Sequence, residues 1–134
     1  VNPAARQTVS WLQEQGCELV LATNPIFPRV ATYSRLRWAG FQPEDFSLIT
    51  TYENATSCKP NLAYYREILQ SIGRAPSECL MVGNDVTEDL CVRDLGMEAF
   101  LLTDCLINRQ QQDLTGVPQG GFEDLRTYVS QHLA

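Results

Sequence analysis

One lysine and one histidine, Lys59 and His132, stand among 134 residues. With ten Lys+Arg against sixteen Asp+Glu the net charge is -6, and no basic stripe exists on which a nucleic-acid backbone would lie. No apolar run approaches the length that spans a bilayer, residues 19–22 and 99–102 being far too short. The N-terminus lacks the charged-then-apolar layout of a signal peptide, so the chain reads as cytoplasmic. The five cysteines form no C-x-x-C pair, which disfavours a zinc ribbon or redox motif and fits reduced thiols filling apolar positions. No Asp-x-Asp occurs anywhere. The chain opens on Val1 rather than methionine, with Asn2-Pro3 reading as a helix cap, and is expected to be part of something longer.

What is present is a folded chain: 44% hydrophobic and 19% charged, long enough for one real core. Helical spacing covers residues 3–15, stopped by Gly16, then Phe27 to Ala39, Asn61 to Ile72, Thr87 to Leu95 and Phe122 to Leu133. Ala5, Val9 and Leu12 mark the inner face of the first helix; Val30, Tyr33, Leu36 and Arg37 fall on related faces of the second. Between the helices lie short apolar runs: Cys17 to Ala22, Phe46 to Thr51, Cys79 to Val82 and Ala99 to Thr103. Residues 108–121 read as a polar loop, and Trp11 and Trp38 as core or rim packing. Apolar strands alternating with helices imply a three-layer α/β/α, Rossmann-like parallel sheet covered on both faces.

In such sheets ligands bind beyond the carboxyl ends of the strands. Thr23-Asn24 follow the first strand and Gly83-Asn84-Asp85-Val86-Thr87-Glu88-Asp89 the third, while Ser57-Cys58-Lys59-Pro60-Asn61 opens the helix between them. Taken singly each is weak. Thr23 reads as a cap for the Phe27 helix, Lys59 as a solvated loop lysine, and Asp85 as an N-cap whose neighbours Glu88 and Asp89 complement the helix dipole. In this order, the set resembles the haloacid dehalogenase superfamily over essentially the whole chain.

The resemblance implies a magnesium-dependent hydrolase acting on small phosphate monoesters through an aspartyl-phosphate intermediate. Thr23 matches the strand-end hydroxyl that hydrogen-bonds the phosphoryl group, Asn24 helps cradle the same oxygens, and Lys59 neutralises phosphate and nucleophile. Asp85 and Asp89 match the acidic motif that holds Mg²⁺. Family members commonly show Gly-Asp where this chain has Gly83-Asn84, so Asp85 is favoured as the direct ligand, Asn84 is the competing candidate, and Asp89 orients Lys59 or the metal's waters.

The resemblance also shows what residues 1–134 do not contain. The family's nucleophile sits in an Asp-x-Asp motif on an earlier strand, and its large lid commonly follows, so 1–134 is expected to be a partial, N-terminally truncated core, inactive alone. Loss of that strand is expected to be met by the strand retained as a separate peptide, by direct pairing of Cys17–Ala22 with Cys79–Val82, which is favoured, or by strand exchange and self-association. Two other readings compete: a catalytically silent module that binds a partner, and a receiver-type phosphoacceptor domain, which presents its acids, Thr and Lys in the opposite order.

Overall fold

The computed structural model describes residues 2–132, and the chain divides into two compact units, Val1–Cys58 and Lys59–Ala134. Each is α/β with a parallel sheet of its own.

In the first unit α1 (Pro3–Glu14) starts where Asn2 accepts the Ala4 and Ala5 N–H groups through its side-chain oxygen. Proline in its first turn gives up no helical hydrogen bond. Arg6 pairs with Asp45 at 2.9 Å, fastening α1 to the 3₁₀ turn Pro43–Asp45. The sheet is small: β1 (Val20–Leu21) lies parallel to β2 (Leu48–Ile49), in register Val20↔Leu48 and Leu21↔Ile49. α2 (Arg29–Trp38) begins two residues later than Phe27, with Pro28 as its cap residue. No side chain of the cap residue itself serves it; the Glu53 carboxylate takes the Arg29 N–H on both oxygens instead, at 2.8 and 3.0 Å.

The inner face of α2 differs from expectation. Thr32 and Leu36 are buried, whereas Val30 is 77% and Trp38 75% exposed. The expected pattern was read across two helical faces, and the face carrying Leu36, close to Thr32 one turn away, is the one turned inward. Trp38 is therefore not a core residue.

In the second unit α3 (Leu62–Ile72) follows its expected signals: Asn61 accepts the Ala63 N–H, and Gly73, at φ 67°, closes the helix in the left-handed region. β3 (Leu80–Gly83), β4 (Glu98–Leu102) and β5 (Gln119–Gly120) form a parallel sheet in the order β3-β4-β5. β5 lies in the segment read as loop. Its Pro118 and Gly120-Gly121 carry breaker signals, yet proline is tolerated at a sheet edge, and Leu101 N–H donates to the Pro118 carbonyl at 2.9 Å. Val117 just before it packs with Val86 and Leu101, which supplies the burial that holds the segment down.

The helix expected over Thr87–Leu95 is one α turn, α4 (Val86–Asp89), continued as a 3₁₀ helix over Leu90–Leu95. The chain ends on α5 (Phe122–His132), Leu133 lying outside the described residues. Tyr64, Tyr65, Val92, Phe100, Leu101 and Leu125 are buried in this unit.

Among the described residues β1 is laddered to β2 within the first unit, and β3 to β4 within the second. Among the described residues no helix is long and apolar enough to cross a membrane.

Candidate functional site

Lys59 directly precedes the capped start of α3, and Asp89 ends α4. Their side chains meet at 2.9 Å, Nζ to Oδ1, with only 11% and 5% of each exposed. The solvated-loop reading of Lys59 is thereby excluded. The other carboxylate oxygen of Asp89 accepts the Asp85 backbone N–H at 3.1 Å. Tyr65, one turn into α3, donates its hydroxyl to the Glu88 carbonyl at 2.5 Å and lies 3.4 Å from Asp89 Oδ1. Burial, and secondarily the Asp89 charge, push the Tyr65 phenol far up, so it stays a neutral donor. Gly83 completes the arrangement, since a Cβ there would overlap the Asp89 carboxylate.

Asp85 is 8% exposed and caps α4, its Oδ1 accepting the Glu88 N–H at 3.0 Å. The Glu88 carboxyl is raised from its ordinary value, first by burial and then by the charge of Asp85; Lys59 works against the shift and Asp89 with it. The turn thus concentrates negative potential. Asn84 points its amide N–H₂ at the Cys105 carbonyl, 2.9 Å away.

Magnesium prefers hard oxygens and commonly takes one or two carboxylates, with waters and phosphate oxygens completing its shell. Among the described residues no three His, Cys, Asp or Glu side chains gather as a metal cluster. Asp89 has both oxygens engaged, one by Lys59 and one by the Asp85 N–H. Of the two aspartates, Asp85 is the one that would be left to meet a cation, since both Asp89 oxygens are engaged.

Thr23 and Asn24 belong to the first unit, just past β1. The Thr23 hydroxyl donates to the Thr50 carbonyl at 2.9 Å, and the Thr50 hydroxyl returns the bond to the Thr23 carbonyl at 2.6 Å. This reciprocal clasp continues the β1–β2 ladder through side chains, and Thr23 does not cap α2. The Ile26 N–H donates to the Asn24 carbonyl at 2.8 Å, turning the chain away from the strand. The structure thus brings Lys59, Asp85 and Asp89 into one network in the second unit and sets Asn84 at its edge. His132, ring-stacked on Tyr128, takes no part in that network.

Residues 1–90 match the family model of haloacid dehalogenase-like hydrolases. The chain belongs to that family. It is 26% identical over 110 residues to a "probable phosphoglycolate phosphatase" of Pseudomonas putida, a match covering 77% of this chain and 40% of that one. The structure superposes on a haloacid dehalogenase phosphatase of Thermococcus onnurineus with a TM-score of 0.77 at 20% identity, over 100% of this chain and 60% of that one. A magnesium-bound protein of Bacillus subtilis gives 0.76 at 21% identity, over 96% of this chain and 55% of its own. These similarities establish the haloacid dehalogenase-like α/β fold, and the chain spans less than two thirds of the length of each of these relatives.

Within that family frame, Tyr65 and the Cys105 carbonyl are the site's unforeseen members. A tyrosine at a helical core position carries no local signal of a polar task. The tie to Cys105 joins positions twenty-one residues apart.

Proposed function

We propose that residues 1–134 form the part of a magnesium-dependent phosphatase core that neutralises and positions the phosphoryl group of a small phosphate monoester. The observation that carries this reading is the buried Lys59–Asp89 pair, tied through the other Asp89 oxygen to the backbone of Asp85. Phosphoryl transfer asks little covalent help of a protein and much fixed charge around the transferring oxygens. Lys59, the one lysine, supplies that charge, and Asp89 holds its Nζ in place without withdrawing it into the solvent.

Asp85 is the residue that would hold magnesium, an ion that screens and orients the phosphoryl oxygens when bound. Thr23 and Asn24 are proposed to contact phosphoryl oxygens; for Thr23 this requires its hydroxyl proton to leave the Thr50 carbonyl. The nucleophile is not among these residues, because none of their aspartates stands in an Asp-x-Asp motif. Phosphoglycolate phosphatase, the name carried by the Pseudomonas relative, marks small anionic phosphate esters as the first substrates to try.

The test is Lys59→Ala in the full-length protein, assayed with Mg²⁺ on p-nitrophenyl phosphate and phosphoglycolate. Activity is expected to fall about a hundredfold in kcat/KM, and near wild-type turnover would reject the reading.

A further inference from the structure

The departure of this chain from the Gly-Asp pattern of its family falls at Asn84, and the structure gives that amide a task a carboxylate cannot perform. Asn84 Nδ2 donates to the Cys105 carbonyl at 2.9 Å. A carbonyl oxygen only accepts, so the group facing it must be a donor, and this fixes which way the amide points. An aspartate at 84 would set an anionic acceptor against that carbonyl and lose the bond.

Two backbone bonds join the same pair of segments. The Ile107 N–H donates to the Asn84 carbonyl at 2.7 Å, and the Val86 N–H to the Ile107 carbonyl at 2.9 Å. Between them Asp85 and Ile107 form an isolated parallel bridge. Residues 105–107 thus run alongside 84–86 as a strand-like extension just beyond the end of β3. Asp85 lies in the middle of that pairing, its own N–H turned to Asp89 and its carboxylate capping α4.

We propose that Asn84 is a positioning residue: its amide docks the 105–107 segment against the acidic turn and so fixes the backbone on which Asp85 is carried, while Asn84 itself is not a metal ligand. The position that offers an acid elsewhere in the family is here given to holding a wall of the site, and the acidic function moves one residue on. The inference goes beyond the proposed phosphatase reading and is tested without relying on it.

Hydrogen exchange on the full-length protein separates the clamp from a ligand, with Asn84→Ala and Asn84→Asp compared and the β4 amides as internal reference. The clamp requires the Ile107 and Val86 amides to exchange at least tenfold faster in both variants, since neither offers a donor to Cys105, while β4 protection is kept. Isothermal titration with Mg²⁺ alone follows on the same samples. Unchanged protection at Ile107 and Val86 in either variant overturns the proposal, whatever happens to activity. So does a tenfold loss of Mg²⁺ affinity in Asn84→Ala with protection intact, the signature of a ligand. If a variant unfolds globally, lost β4 protection reveals it, and Asn84→Ser, too short to reach Cys105, replaces it under the same criteria. Failure of the phosphatase reading would appear separately, as full turnover by Lys59→Ala.

Discussion

Gly83 and Asp89 occupy one shared space: the carboxylate of Asp89 lies where the first side-chain carbon of any other residue at 83 would stand. The same carboxylate holds Lys59 and the Asp85 N–H, so the missing side chain at 83 is what lets the network close. Gly83→Ala is expected to displace Asp89 at a cost of about 1–3 kcal/mol, the usual range for overpacking. Lower activity together with a lower Tm checks this. An unchanged Tm would mean that Asp89 moves aside freely.

Lys59→Ala is expected to remove about 3 kcal/mol of transition-state stabilisation, on the order of a hundredfold in kcat/KM, the scale for losing one preorganised charge. Steady-state kinetics on the full-length protein measures it. Lys59→Arg is expected to recover little, because a planar guanidinium does not fit the position of a compact ammonium.

Asp89→Asn removes the carboxylate that meets the largely buried Lys59 ammonium at 2.9 Å, and about 3 kcal/mol of stability is expected to be lost. Adding Lys59→Met to that variant is expected to restore part of the loss, which a double-mutant cycle by urea denaturation would read directly. If Lys59→Met costs the same with and without Asp89→Asn, the losses are additive and the pair is not coupled.

Asp85→Asn is expected to abolish Mg²⁺-dependent activity, because a hard divalent cation gains more from a carboxylate than from an amide oxygen, whereas Asn84→Ala, which loses the hydrogen bond to Cys105, weakens it less. Metal titrations of activity in the two variants decide it; the reverse order would move the acidic motif back by one residue.

The Gln42 N–H bonded to Asp45, followed by the Arg6 charge, holds the Asp45 carboxyl below its ordinary 3.8 despite the opposing effect of burial. A carboxyl depressed in the folded state adds stability that is complete above the unfolded value and lost as pH falls through the folded one. Asp45→Asn is therefore expected to flatten the decline in stability as pH falls below 3.8, relative to wild type. Urea midpoints measured across that range provide the check.

The helix ends were legible because caps are local: Asn2, Asn61, Gly73 and Gly96 each act within a few residues of themselves. The order Thr23, Lys59, Asp85, Asp89 also carried the family, and the Lys59–Asp89 pairing follows from it. What stayed hidden depends on partners distant in sequence. β5 is two residues long beside a proline, and its place is set by Val117 packing on Leu101. The inner face of α2 is set by what covers Leu36, which periodicity alone does not rank. Thr50, Glu53 and Tyr65 look like ordinary loop or core residues until their acceptors and donors are seen.

Because Lys59 is the only lysine between residues 1 and 134, its amine is also a chemical address. An acylating reagent finds no other side-chain amine in this span, and the one it finds is shielded by Asp89 with 11% of the side chain exposed. The following Pro60 protects the Lys59 bond from trypsin, so any label stays within a single peptide running from Trp38 to Arg66. The extent of modification of that peptide becomes a direct gauge of how often the ion pair opens, and of whether a bound phosphate ester closes access to it.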